Sequence, residues 1–239
     1  MQAVASELII LLKKLQSLES LRSFSLGGGT NLALRYHHRK SDDIDLFTDQ
    51  IIGKEGFEKI RIELETQFGD NLSGFQYPCD ENDQFIFARC FIKEGDHIIK
   101  VEILQNMKIT QEIETIEDIR MISKIDIGLF KLVSASNRLA KKDIYDLDHI
   151  SDEISLIELF NFLSEKKAKY NSDLDKTVFD LDVIKNQLFT NLPTDYNISF
   201  FEIPTSTTAL PTNYTNTIPN NQTIYARIMN VQGCYSDYP

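Results

Sequence analysis

Cysteine is scarce in this 239-residue chain, which has only Cys79, Cys90 and Cys234. An odd total with no metal-ligand spacing argues against a thiolate metal site and reads as a reduced, cytoplasmic chain. Glycine (10) and proline (6) are few and 42% of residues are hydrophobic, so an ordinary core can be buried. Positive charge is in deficit: 25 Lys and Arg against 36 Asp and Glu leave a net charge of -11. That balance excludes a surface that is basic throughout. A nucleic acid must therefore meet a local basic patch, with metal ions offsetting the carboxylates. Long apolar runs are missing as well. Leu8-Ile9-Ile10-Leu11-Leu12 is too short to span a bilayer and Lys13-Lys14 follows it at once. Nothing cationic precedes that run and no small-residue cleavage site follows, so neither a signal peptide nor a membrane partner is expected.

The informative part of what is present lies in two short stretches. Leu26-Gly27-Gly28-Gly29-Thr30 reads as a strand running through a glycine turn into a helix. Such a turn leaves backbone N–H groups unobstructed at the positive end of a helix, where an anion is favoured. Thr30 adds a hydroxyl to cap the helix or contact a phosphate. Asp43-Ile44-Asp45-Leu46 follows, and strand alternation puts Asp43 and Asp45 on one face with Ile44 and Leu46 on the other. Two carboxylates side by side repel unless a cation intervenes, which points to Mg²⁺ or Mn²⁺. The competing structural readings are a turn that only relieves backbone strain and an exposed strand end.

Glu102 interrupts the β-forming run Ile99–Leu104. If that strand pairs beside Asp43–Asp45, Glu102 completes the acidic cluster as a metal ligand or general base. If the strand is an edge, Lys100 and Glu102 are simply on its wet face. Lys124, Lys131, Arg138 and Lys142, at spacings of seven, seven and four, fall on one stripe of a helix through Asp126–Ala140, opposite Leu129, Leu132, Val133 and Leu139. This stripe suits triphosphate or a nucleic-acid backbone, or it is a solvated charged face. Asp143 and Asp146 cap the next helix or orient Lys131 and Arg138.

The expected fold class is α+β: a mixed β-sheet flanked by helices, followed by a helical C-terminal half. Helices are expected near residues 3–20, at Thr30–His37 and Phe57–Phe68, and strands at Ser23–Leu26, Ile44–Phe47, Gln84–Ile92 and His97–Leu104, the last two as a hairpin. Helices are then expected at Ile116–Lys124, Asp126–Ala140, Asp143–His149, Leu156–Lys167 and Leu174–Leu188. The organisation follows as a glycine-turn and Asp-x-Asp domain over 1–110, a helical domain over 111–190, and an Asn/Thr/Pro-rich tail over 191–239. That tail reads as an extended packed segment, a partner-binding arm or a poorly ordered end.

Leu26–Leu34, His38-Arg39, Ser41 and Asp43–Phe47 together resemble the AbiEii/AbiGii toxin family of nucleotidyltransferases, within the polymerase-β-like superfamily. A second block, Lys131-Leu132 through Arg138 to Lys142-Asp143 and Tyr145-Asp146-Leu147, resembles the same family in the right order. The likeness covers about residues 20 to 165. It implies a nucleotidyltransferase fold with NTP as substrate and Mg²⁺ (or Mn²⁺) as cofactor. It implies Gly28, Gly29 and Thr30 as the nucleotide-binding turn, Asp43 and Asp45 as the metal pair, and Lys131 as the lysine that meets the triphosphate. Asp143 or Asp146 takes the place of the downstream acid. It also implies an RNA acceptor, tRNA in better understood relatives, and a cognate antitoxin as partner. Glu102 stands where the superfamily more often has aspartate. Two other readings stay open: an antibiotic-modifying nucleotidyltransferase, and an inactive relative serving as a binding module.

Overall fold

The computed structural model describes residues 3–78, 87–137, 140–170, 196–201, 225–230 and 235–238. Two compact units divide the chain, Met1–Lys185 and Asn186–Pro239.

In the first unit the helical periodicity of the N-terminus forms α1 (Ser6–Ser17), which buries Leu8, Leu11, Leu12 and Leu15. A short 3-10 turn leads to β1 (Ser25–Leu26), α2 (Gly28–Tyr36), β2 (Asp43–Phe47) and α3 (Gly53–Phe68). The face of α3 carrying Phe57, Ile60, Leu64 and Phe68 is buried, as its spacing predicts. Strands β3 (Leu72–Gln76), β4 (Phe87–Glu94) and β5 (His97–Leu104) follow, then β6 (Glu114–Ile116) and β7 (Ile119–Met121). Among the described residues of the unit, three helices follow: α4 (Lys124–Asn137), α5 (Lys141–Ser151) and α6 (Leu156–Lys169).

The sheet has seven strands in the order β3-β4-β5-β2-β1-β7-β6. β2 pairs parallel with β5 and antiparallel with β1, and β1 pairs parallel with β7, so the sheet is mixed. Its buried face carries Ile44, Leu46, Val101, Ile103, Ala88 and Cys90, and these join the leucines of α1 and the apolar face of α3 in one core. Each leucine fully removed from water there contributes roughly 1.5–3 kcal/mol. The fold is the expected α+β arrangement, a mixed sheet with flanking helices and then helices α4 to α6.

One expected helix is a strand pair instead. Residues Ile116–Lys124 contain the turn between β6 and β7, strand β7, and the first residue of α4. Glu117 and Asp118 both take positive φ (50° and 64°), which matches the twist of a tight antiparallel turn. The helix expected at Leu174–Leu188 lies outside the described residues. In the second unit, β8 (Tyr196–Phe201), β9 (Tyr225–Asn230) and β10 (Tyr235–Tyr238) form an antiparallel sheet in the order β10-β9-β8. The stretch 191–239, read above as a tail, contains these three strands.

Candidate active site

On the face of the first unit's sheet away from the core, alternation turns the polar residues of β2, β4 and β5 outward. In the β2–β5 pair Asp43 is opposite Lys100 and Asp45 opposite Glu102, and across the β4–β5 pair Arg89 is opposite Glu102. β5 is thus an interior strand, which removes the edge-strand reading of Glu102. A cavity of about 250 Å³ lies over this face, lined among others by Gly28, Gly29, Asp43, Asp45, Glu102 and Lys131. These residues, far apart in sequence, are the ones expected to form the site.

The glycine turn is fixed from both sides. Gly27 N–H donates to the main-chain carbonyl of Asp45 at 2.8 Å. Asn31 Nδ2 donates to the carbonyls of Leu26 (2.8 Å) and Ile122 (2.9 Å), tying α2 to the ends of β1 and β7. The first turn of α2 has no side-chain cap, which leaves its N–H groups for an external anion. Gly28 has φ +61°, and a Cβ there would sit 1.8 Å from Asp45 Oδ2. A Cβ at Gly29 would lie 2.3 Å from Arg39 Nη2. Positive φ and the Asp45 carboxylate require glycine at 28, and a side chain at 29 would push the Arg39 guanidinium off the turn.

Thr30 does not line the cavity. It is buried, with its hydroxyl 2.8 Å from Ser41 Oγ and hydrogen-bonded to the carbonyl of Asp43. Its place is to lock α2 onto β2, so a direct phosphate contact from this hydroxyl does not fit the geometry.

The acids have different surroundings. Asp45 is half-buried, and burial followed by the nearby charge of Glu102 pushes its pKa up to about 6. Glu102 has cations on both oxygens: Arg89 Nη2 lies 2.6 Å from Oε1 and Lys100 Nζ 3.1 Å from Oε2. Lys100 Nζ also lies 3.2 Å from Asp43 Oδ2. Among the described residues, no three His, Cys, Asp or Glu side chains are grouped to hold one metal ion. The set Asp43, Asp45 and Glu102 therefore does not form a three-carboxylate cage, because Lys100 and Arg89 occupy Glu102. The pair Asp43 and Asp45 does fit a divalent ion that takes its remaining ligands from water and phosphate, the usual manner of Mg²⁺.

Behind the cavity wall a second charge cluster is built on Asp146, which is fully buried. Arg39 clamps it with both prongs, Nε to Oδ1 at 2.6 Å and Nη2 to Oδ2 at 2.7 Å. Lys131 Nζ lies 2.6 Å from its Oδ2 and 2.8 Å from Asp143 Oδ1, and His38 Nε2 lies 2.7 Å from Oδ1. Burial opposes ionisation of Asp146, yet these cationic and donor contacts outweigh it and hold its pKa down to about 2. Asp146 thus orients Arg39 and Lys131, both of which line the cavity, and is not itself a lining residue.

The basic stripe does not survive as one helical face. α4 ends at Asn137 and Lys142 belongs to α5. Lys124 pairs with Glu153, whereas Lys131 and Lys142 both line the cavity. Arg138 lies outside the described residues. Arg35 turns away from the site to Glu114 and the carbonyl of Ile122.

Two comparisons accompany this geometry. A family model described as the Flavobacterium inter-domain disulphide bond domain matches residues 166–238. An uncharacterized protein of Aquifex aeolicus (strain VF5) is 32% identical over 136 residues, 57% of this chain and 61% of the relative. The chain spans about three fifths of that relative's own length. Neither description names an activity.

Sequence reasoning underweighted three residues of the site. Lys100 and Arg89 reach the acids through strand register, which no local motif announces. Arg39, part of the His38-Arg39 stretch of the resemblance, is bent over Gly29 by its clamp to Asp146. The apolar wall of Phe47, Leu104, Ile127 and Phe130 completes the cavity.

Proposed function

We propose that this chain is a metal-dependent nucleotidyltransferase that moves a nucleotide from an NTP to an acceptor, releasing pyrophosphate. The observation that carries the reading is a single cavity holding the open glycine turn, the Asp43–Asp45 pair and the cations Arg39, Lys131 and Lys142. Gly28 and Gly29 offer main-chain N–H groups to phosphate, and the three cations neutralise it. Arg39 and Lys131 arrive already oriented by Asp146, so little ordering is left for the moment of binding. Asp43 and Asp45 would hold Mg²⁺ or Mn²⁺, which polarises the phosphate and steadies the leaving pyrophosphate. Phe47 and Phe130, 5.6 Å apart edge to face, give the nucleotide an aromatic wall.

RNA, tRNA in particular, is the acceptor we favour. The cavity is lined by four cations, Arg39, Lys100, Lys131 and Lys142, against three carboxylates, Asp43, Asp45 and Glu102, in a chain whose net charge is -11. Asp143 and Asp146 behind Arg39 and Lys131 offset much of that charge, so the preference for a polyanion over a cationic antibiotic rests on the resemblance, whose better understood relatives modify tRNA. The resemblance to the AbiEii/AbiGii toxins adds a role as a growth-arresting toxin with a cognate antitoxin. The NTP supply that this chemistry needs places it in the cytoplasm. Among the described residues no helix is long and apolar enough to cross a membrane. To test the reading, the full chain is incubated with each α-labelled NTP, Mg²⁺, total RNA and a panel of aminoglycosides. Label is expected on RNA. Label on a drug moves the acceptor to the antibiotic class, and no label with any acceptor removes the enzymatic reading.

The matched description names a disulphide, and we infer that Cys90 has no part in one. Cys90 is fully buried in the core, and burial pushes its thiol pKa up to about 12, which suppresses the thiolate that exchange requires. Cys79 and Cys234 are the remaining cysteines, both outside the described residues. Native alkylation followed by peptide mapping is expected to leave Cys90 unmodified until the chain is unfolded. Rapid labelling of Cys90 in the folded chain would contradict its burial. Three reduced thiols on non-reducing mapping support the cytoplasmic setting, and a bridge that leaves Cys90 out supports the matched description.

A further inference from the structure

We propose that the Lys100 ammonium is a built-in cation of this site, so that the chain takes one divalent ion with its nucleotide and not two. The inference rests on the nucleotidyltransferase reading and deepens it. Lys100 Nζ bridges Asp43 Oδ2 at 3.2 Å and Glu102 Oε2 at 3.1 Å. Those are ammonium–carboxylate distances, about an ångström longer than the roughly 2.0–2.1 Å at which Mg²⁺ draws in its oxygens. The gap between the two acids is therefore sized for an amine. Strand register puts the amine there: Asp43 faces Lys100 across β2 and β5, and Glu102 lies two residues on, on the same face.

Glu102 is further closed to a metal by Arg89, whose Nε and Nη2 lie 2.8 Å and 2.6 Å from Oε1. The result is a ladder of alternating sign, Asp43, Lys100, Glu102, Arg89. Asp45 lies outside that ladder among the lining carboxylates. Among the described residues it has no ion-pair partner, and its side chain borders the glycine turn where phosphate would enter. One divalent ion on Asp45 and the Asp43 oxygen that does not face Lys100 leaves the ladder intact. A second ion that draws on Glu102 has to displace Lys100 or Arg89, which already face its two oxygens. The Lys100 side chain is 28% exposed and held by two carboxylates, which favours a fixed charge over a mobile surface one.

Counting ions tests this without reading activity. Mn²⁺ is titrated into the full chain saturated with a non-hydrolysable NTP analogue, and free Mn²⁺ is followed by electron paramagnetic resonance against the analogue alone. One Mn²⁺ per chain is expected for the parent and for Lys100→Arg, which keeps the charge. Lys100→Met is expected to take two, because Asp43 Oδ2 and Glu102 Oε2, the oxygens that faced Lys100, are then open to metal while Arg89 keeps Oε1. Thermal melting of each variant verifies folding. Two ions in the parent overturn the proposal, as does a count that stays at one in folded Lys100→Met. A parent chain that retains neither Mn²⁺ nor the analogue overturns the nucleotidyltransferase reading itself, and this inference with it. Should Lys100→Met fail to fold, the parent and Lys100→Arg counts still decide: one ion in both supports the built-in cation, and two in either sinks it.

Discussion

Asp45→Asn is expected to yield a chain that melts higher than the parent in metal-free buffer and transfers nucleotide at least about a hundredfold more slowly. The two effects have one origin. Burial and the neighbouring charges of Glu102 and Asp43 push the Asp45 pKa up to about 6, so its ionised form is held against an electrostatic penalty at neutral pH. Asparagine has the same shape, keeps the main-chain acceptor that takes the 2.8 Å hydrogen bond from Gly27 N–H, and removes the charge. A gain of about 1 kcal/mol raises the melting temperature of a chain this size by roughly 2–4 °C. Losing one preorganised electrostatic group at a reacting centre slows chemistry by about 10²–10³. Stability and activity then move in opposite directions, as they do where a fold tolerates strain for function. Scanning fluorimetry with an NTP analogue, with and without Mg²⁺, separates the effects: adding Mg²⁺ should raise the melting temperature of the parent further and that of the variant little. Full transfer activity in Asp45→Asn would remove Asp45 from the metal site.

Local patterns in the chain were sufficient to locate the two halves of this site. The glycine turn, the alternation of Asp43 to Leu46, the strand at His97–Leu104 and the apolar face of α3 each depend on neighbours within one element, and each is found in place. What eluded a linear reading depends on distant partners. Ile116, Ile119 and Ile122 are spaced by threes and imitate a helix, while the turn between β6 and β7 uses Glu117 and Asp118 in place of the glycine or asparagine that usually marks positive φ. Lys124, Lys131 and Lys142 share a stripe only if one helix carries them all. α4 stops at Asn137, and the stripe divides between an ion pair with Glu153 and the cavity wall. Lys100 comes between the acids only through the pairing of β2 with β5, a contact between segments more than fifty residues apart in the chain. Asp146 was legible as an acid downstream of Lys131. Its bidentate hold on Arg39, 107 residues away, was not.

That hold sets the second large effect. Asp146→Asn is expected to destabilise the fold by about 3–5 kcal/mol at pH 7, the range for removing one partner from a buried charged cluster. Arg39 and Lys131 would then share only Asp143 as a buried counter-charge, and the new amide would point donors at donors. The pH dependence follows from the direction of the shift. The folded-state pKa of Asp146 is about 2 against an ordinary 3.8, so its ionisation contributes stability that is complete above the unfolded value and disappears as pH falls through the folded one. The difference is about 2 kcal/mol at one pKa unit per 1.36 kcal/mol. Denaturant unfolding of both proteins should therefore show a wide gap at pH 7 that narrows between about pH 4 and pH 2. Kinetics supply the second check. Asp146 touches neither the glycine turn nor the Asp43–Asp45 pair, so its loss acts by releasing Arg39 and Lys131 from their orientation over the cavity. The KM for NTP should rise by on the order of ten- to a hundredfold, as for other groups that act by orienting a binding residue, with a smaller fall in kcat. A variant that loses kcat alone, with KM unchanged and the acid-side stability gap absent, would make Asp146 a participant in the chemistry and not the anchor of its phosphate-binding cations.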